Sequence, residues 1–233
     1  MGGLTAEVLR EGFPGRVGAA VRRVGVGGEV RLFPEEQGVL SERAVARRRE
    51  DFALGRAAAH EALAALGMAA SPILRGEKGE PVWPAGIVGA ITHTRGVAAA
   101  VVGESRDYAG IGVDLEPLEP GLTVRAGRIV CTPEELSWAT AAGAEATKRL
   151  TMVFCAKEAL FKALFPPTRV WLDFLGAELR WEEEGFRATL LVPVGERLPA
   201  GSTLQVGCRI VEEMALATTY VAGGPAGGAA RGR

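Results

Sequence analysis

Residues 154–165 read FCAKEALFKALF, an apolar helix pattern interrupted by two lysines and a glutamate. Successive helical residues stand about 100° apart. That spacing places Leu150, Val153, Phe154, Leu160, Phe161, Leu164 and Phe165 on one broad arc. Lys157 falls inside the arc, Glu158 at its edge, and Lys162 one turn further along the same side. Such a helix is expected to anchor in a core, where an unpaired charge is costly. Its charges therefore need partners elsewhere in the chain.

Residues 111–116, IGVDLE, read as a strand. A period of two puts Gly112, Asp114 and Glu116 on one face and Ile111, Val113 and Leu115 on the other. Carboxylates roughly 7 Å apart at the backbone repel each other unless a cation lies between them. Oxygen donors of this kind suit Mg²⁺, which completes its shell with water and substrate phosphates. Gly112 is expected to leave that face open. The plainer reading is a solvated strand face leading into the turn at Glu116–Pro117. Glu158 would join the two carboxylates on the ion, with Lys162 and Lys157 on phosphate oxygens. Equally, Glu158 and Lys162 at i and i+4 form an ordinary surface ion pair. Nothing in the spacing decides between these readings.

His93 lies in 91–94, ITHT, between two short apolar runs. It reads either as a structural histidine or, with Thr92 and Thr94, as a polar corner for phosphate. Arg47, Arg48, Arg49 and Arg56 stud a helical segment, as solvated surface or as a bidentate phosphate site.

Bulk composition excludes much. The 233 residues suffice for one large domain or two small ones. A net charge of −1 supplies no global field for nucleic acid, so a charged partner must meet a local patch. Only two histidines are present, which removes a multi-histidine zinc site, and no HExxH, GxSxG or Walker loop occurs. The cluster 25–30, GVGGEV, lacks dinucleotide-binding spacing. Three widely spaced cysteines without CxxC fit reduced thiols in a cytoplasm. Neither a secretory signal nor an apolar run long enough for a bilayer is expected.

Along the chain, Glu35–Leu66 reads as a long helix capped by Gly67, and 72–84 as a turn-rich hairpin. Strands are expected at 87–94, 97–103 and 109–117. A helix starts at Thr132-Pro133, and another through 147–165 stops at Pro166-Pro167. Antiparallel strands follow within 174–192 and 203–221. Helix-then-strands thus occurs twice, predicting an α+β protein of two halves, 1–110 and 111–222. Residues 223–233 lack core-forming side chains and are expected to be disordered.

Four motifs, 77–84 EKGEPVWP, 92–94 THT, 111–116 IGVDLE and 154–162 FCAKEALFK, together resemble the phosphopantetheinyl transferases of the surfactin/enterobactin type, in particular actinobacterial members. The resemblance implies two similar α/β halves related by a pseudo-twofold, with coenzyme A and Mg²⁺ in the cleft between them. It implies transfer of 4'-phosphopantetheine from coenzyme A to a serine of apo acyl or peptidyl carrier proteins, releasing 3',5'-ADP. Asp114, Glu116 and Glu158 would hold Mg²⁺, and Glu158 would take the serine proton directly or through water. Lys162 would sit on the α-phosphate, and Lys157 would contact pyrophosphate or brace its helix. Thr92 and His93 would contact phosphates, His93 near the 3'-phosphate with Arg48 and Arg56. Arg75, Lys78 and residues Gly79, Glu80 and Pro81 would frame the adenosine. Glu80 stands where many relatives carry lysine, and Thr92 replaces a commoner serine. The implied protein is a cytoplasmic monomer that binds neither nucleic acid nor membrane. Two competing readings are a catalytically inactive coenzyme A or carrier-binding protein and a metal-dependent phosphodiesterase.

Overall fold

The computed structural model describes residues 3–26, 30–38 and 46–224. In chain order the elements are α1 (Ala6–Arg10), β1 (Val17–Arg23), α2 (Pro34–Gln37), α3 (Ala46–Leu66), β2 (Leu74–Arg75), β3 (Pro81–Val82), β4 (Ile87–Thr94), β5 (Val97–Glu104) and β6 (Tyr108–Pro117). Then come α4 (Val124–Val130), α5 (Pro133–Thr140), α6 (Ala146–Thr168), β7 (Ala177–Glu182), β8 (Gly185–Leu190), β9 (Thr203–Val211) and β10 (Met214–Ala222).

One topology is used twice. In the first half β1 pairs antiparallel with β5, which pairs with its hairpin partner β4. In the second half β6 pairs antiparallel with β10, which pairs with its hairpin partner β9, and β8 and β7 extend the sheet. Each half therefore runs strand, long helix, closing hairpin. The division expected at residue 110 falls inside β6, which begins at Tyr108.

The alternation along the strands explains the layering. β1 sends Val17 and Ala19 to one side and Ala20 to the other, and β6 sends Ile111, Val113 and Leu115 inward. The two sheets share a central core, α3 covers the outer face of the first sheet, and α6 covers that of the second. Leu150, Leu160 and Leu164 of α6 are fully buried, contributing ~1.5–3 kcal/mol each.

Glycines set how closely these helices approach. A Cβ on Gly112 would stand 1.9 Å from the Ala159 carbonyl oxygen of α6, and one on Gly18 would stand 1.9 Å from that of Ala62 in α3. Contrary to the expectation from the sequence, Gly112 therefore does not leave its strand face open. The backbone of α6 occupies that space and carries Glu158 and Lys162 over β6.

The expected helix over Glu35–Leu66 is instead a short α2 ending at Gly38 and a long α3 from Ala46, with 39–45 outside the described residues. Pro166 and Pro167 do not stop α6 either. The last turn continues to Thr168, held by Thr168 Oγ1 donating to the Leu164 carbonyl at 2.7 Å. Arg169, at φ 58°, closes it. The expected capping box at Thr132 is present, with Glu135 at its third position. Residues 27–29 of the early glycine cluster and 225–233 of the tail lie outside the described residues.

Candidate active site

β4 and β6 are edge strands of the two sheets, and the chemistry-bearing residues gather where they meet. On β6, Asp114 is buried. Its Oδ1 accepts from Lys162 Nζ at 2.6 Å and from Thr92 Oγ1 at 2.9 Å, while its Oδ2 is buried with no partner among the described residues. A buried carboxylate oxygen left bare is costly, and a cation would satisfy it.

The neighbouring carboxyl groups point the same way. Glu116 is pushed up to about 7, first by burial and then by Asp114 and, against the pull of Lys162, by Glu158. Burial and Asp114 also raise Glu158. These groups sense one another's charge, and a divalent ion would relieve the repulsion. Among the described residues, no three acidic, histidine or cysteine side chains converge far enough to form a ready-made coordination set. Lys162 is a quarter exposed and also donates to the Val113 carbonyl at 3.2 Å. Burial opposes its charge, but Asp114 and Glu158 outweigh burial and raise its pKa.

On the other side of β4 lies a cavity of ≈ 460 Å³. It gathers six of the residues expected at a nucleotide site: Arg48, Arg56, Arg75, Gly79, Pro81 and His93. Arg56 is fixed in place: Nε donates to the Ile73 carbonyl at 2.7 Å, Nη2 to that of Leu74 at 3.3 Å, and the guanidinium stacks 4.5 Å over Phe52. Burial and Arg75, against Glu36, lower its pKa to about 10, so it stays charged at neutral pH. Burial lowers His93 and, with Lys162, outweighs Asp51 and Asp114. Gly79 has φ +97°, and a Cβ there would crowd the Arg75 guanidinium at 3.0 Å, so glycine is required.

Four expected residues stand elsewhere. The Thr92 hydroxyl is buried, donates to Asp114 and accepts from the Leu115 N–H at 3.2 Å, so it orients the carboxylate instead of meeting a phosphate. Lys157 is buried with its ammonium on the carbonyls of Val130, Phe174 and Ala177, 2.7 Å from Glu135. With its three protons committed, it braces the helix and cannot serve pyrophosphate. Glu80 folds back onto the Lys78 N–H and pairs with Arg169. Lys78 is exposed and does not line the cavity.

Sequence reasoning missed Asp51 and Phe52, which also line the cavity. It also missed Glu36 and His60, which stand 2.8 Å apart behind it. The i, i+4 spacing of Arg47 and Asp51 was the one local signal, and these two stand 3.9 Å apart. Glu158 also lines a pocket of ≈ 210 Å³, together with Lys157, Asp173, Phe161, Trp171 and Phe174.

Residues 35–103 match the family model of the 4'-phosphopantetheinyl transferase N-terminal domain, and 110–197 that of the 4'-phosphopantetheinyl transferase superfamily. The chain is 40% identical over 168 residues to 4'-phosphopantetheinyl transferase Svp of Streptomyces mobaraensis, covering 70% of this chain and 67% of that one. It is 39% identical to PptT of Mycobacterium tuberculosis over 65% of this chain and 66% of that one. It is 37% identical to Npt of Nocardia iowensis over 76% and 82%.

Proposed function

This chain belongs to the 4'-phosphopantetheinyl transferase superfamily, and from that premise we propose that it transfers the 4'-phosphopantetheine arm of coenzyme A to a serine hydroxyl of apo acyl or peptidyl carrier proteins, releasing 3',5'-ADP. One juxtaposition carries the reading: β4 separates a cavity rich in arginine from a cluster of repelling carboxylates. A molecule with a phosphorylated nucleotide at one end and a pyrophosphate beyond it fits both.

Asp114, Glu116 and Glu158 would hold Mg²⁺, with water and substrate phosphates completing its shell. The bare Asp114 Oδ2 and the mutually raised carboxyls support that choice. When bound, the ion neutralises charge on the pyrophosphate oxygens.

The protein's own groups do the rest. Arg48, Arg56 and Arg75 bind the 3'-phosphate. His93 adds a further hydrogen bond to that phosphate. Lys162, held by Asp114, keeps one N–H for the phosphate oxygen on which charge develops as the P–O bond breaks. Glu158, raised above an ordinary carboxyl by burial and Asp114, takes the proton of the attacking serine. The pocket at Phe161 and Phe174, beside Glu158, receives the extended arm. The nucleophile arrives on the partner. Both charged regions come from one chain, which fits a monomer. Three buried free thiols are in keeping with the cytoplasm.

The test is to incubate the protein with coenzyme A, Mg²⁺ and an apo carrier and weigh the carrier. A gain of one phosphopantetheine, lost with chelator or with Glu158→Ala, supports the transferase. No gain across several carriers, with coenzyme A still bound, would identify a binding protein instead.

A further inference from the structure

Glu36, on the short α2, is completely buried. A charged side chain is expensive there unless every lone pair is used. Its Oε1 accepts from the Ile73 N–H at 2.8 Å and lies 2.8 Å from His60 Nε2, and its Oε2 accepts from the Phe33 N–H at 3.0 Å. Phe33 in turn meets the His60 ring edge-on at 5.1 Å. None of these groups lines the nucleotide cavity.

The far side of the same residue is held by an opposite charge. Arg56 Nε donates to the Ile73 carbonyl, and its Nη2 to that of Leu74. Ile73 is thus gripped at its N–H by Glu36 and at its carbonyl by Arg56, and the chain leaves this grip at Arg75, a wall of the cavity. Glu36 and Arg56 also sense each other's charge. The carboxylate therefore bears on two of the three arginines, by placing the segment that Arg56 binds and that Arg75 continues.

We propose that Glu36 is a positioning residue for phosphate recognition: through Ile73 it sets Arg56 and Arg75 at the spacing that reads the 3'-phosphate of coenzyme A. This rests on the assignment of the cavity to that phosphate. Loss of the carboxylate loosens the 73–75 segment and leaves the acidic cluster across β4 unchanged. The effect falls on nucleotide affinity and not on the transfer step.

The experiment measures KM and kcat with coenzyme A and with 3'-dephospho-coenzyme A for wild type, Glu36→Gln, Glu36→Asp and Arg75→Ala, each checked for folding by circular dichroism. Glutamine cannot accept all three hydrogen bonds, and aspartate keeps the charge but is one methylene short, so either variant tests the idea if the other folds poorly. Expected is a rise in KM for coenzyme A of about tenfold, with kcat and the KM for the dephospho substrate unchanged. The preference for coenzyme A then narrows as it does in Arg75→Ala. If Arg75→Ala narrows the preference while both Glu36 variants keep the wild-type ratio and only melt earlier, Glu36 is structural and the proposal fails. If Arg75→Ala leaves the preference intact, the phosphate assignment itself fails and takes the proposal with it.

Discussion

Lys162 Nζ lies 2.6 Å from Asp114 Oδ1, and the other oxygen of that carboxylate is buried and bare. The ammonium therefore fixes the carboxylate without satisfying it. Thr92, donating to the same Oδ1, adds a second restraint and leaves Oδ2 to a ligand. We predict that Asp114→Asn lowers kcat/KM by about 100-fold, with the fold retained by circular dichroism. Thr92→Val should cost about tenfold and raise the Mg²⁺ concentration needed for half-maximal rate. A change confined to the KM for coenzyme A would return Thr92 to the phosphates.

The raised carboxyl of Glu116 predicts a pH dependence of stability in the metal-free protein. Its folded pKa, about 7, lies above its unfolded value near 4.5, so the folded state binds the extra proton between them. That contribution is fully present below 4.5 and is lost as pH rises towards and through about 7. Glu7, Glu80, Glu182 and Glu212 are lowered instead, and their contributions change only at more acid pH. Thermal melts of wild type and Glu116→Gln should diverge in favour of the variant between pH 4.5 and 7 and run parallel above. Parallel melts throughout that window would place Glu116 in ordinary solvent.

Lys157 predicts a stability effect without a binding effect. Removing it strands Glu135, which also accepts from the Thr132 and Leu179 N–H groups, as an unpaired buried charge. Lys157→Met should lose ~3–5 kcal/mol in denaturant titration, and Lys157→Met with Glu135→Leu should recover much of it. Coenzyme A affinity of the folded single variant should equal that of wild type. A weaker affinity would mean that the ammonium reaches the substrate after all.

Gly112→Ala predicts loss of turnover by displacement. The added methyl would meet a backbone carbonyl, which cannot rotate away, so α6 must lift from β6. The cost should reach or exceed ~1–3 kcal/mol, and kcat should fall as Glu158 and Lys162 move. Gly18→Ala, with an equal clash against α3, should destabilise similarly but weaken coenzyme A binding more than kcat. Identical kinetic profiles for the two would show that the helices do not divide the work.

The elements legible in the sequence were those with a local signature. β4, β5 and β6 followed from short apolar runs between glycine turns, and α5 from its Thr132 capping box. Asp114 and Glu158 were legible because strand and helix periods place each on a definable face. Lys157 and Lys162 belong to the same helix, yet the partner that separates their roles, Glu135, lies on α5 and is invisible to periodicity. Glu36 and Thr92 were misjudged or missed for the same reason: their hydrogen bonds span 37 and 22 residues. Glu80 looked like a substrate contact because nothing local announces Arg169.

The repeated strand–helix–hairpin order has a consequence for how such a site can diversify. Two separate identical subunits would carry every substitution twice, so a cation needed on one helix would appear on both. Joined in one chain, the two copies are free to diverge. α3 carries arginines at its cavity, and α6 carries a glutamate and a lysine on the other side of β4. The glycine that seats each helix is common to both, Gly18 in one and Gly112 in the other. Shared seating with unshared side chains is what a covalent tether permits and a symmetric dimer does not.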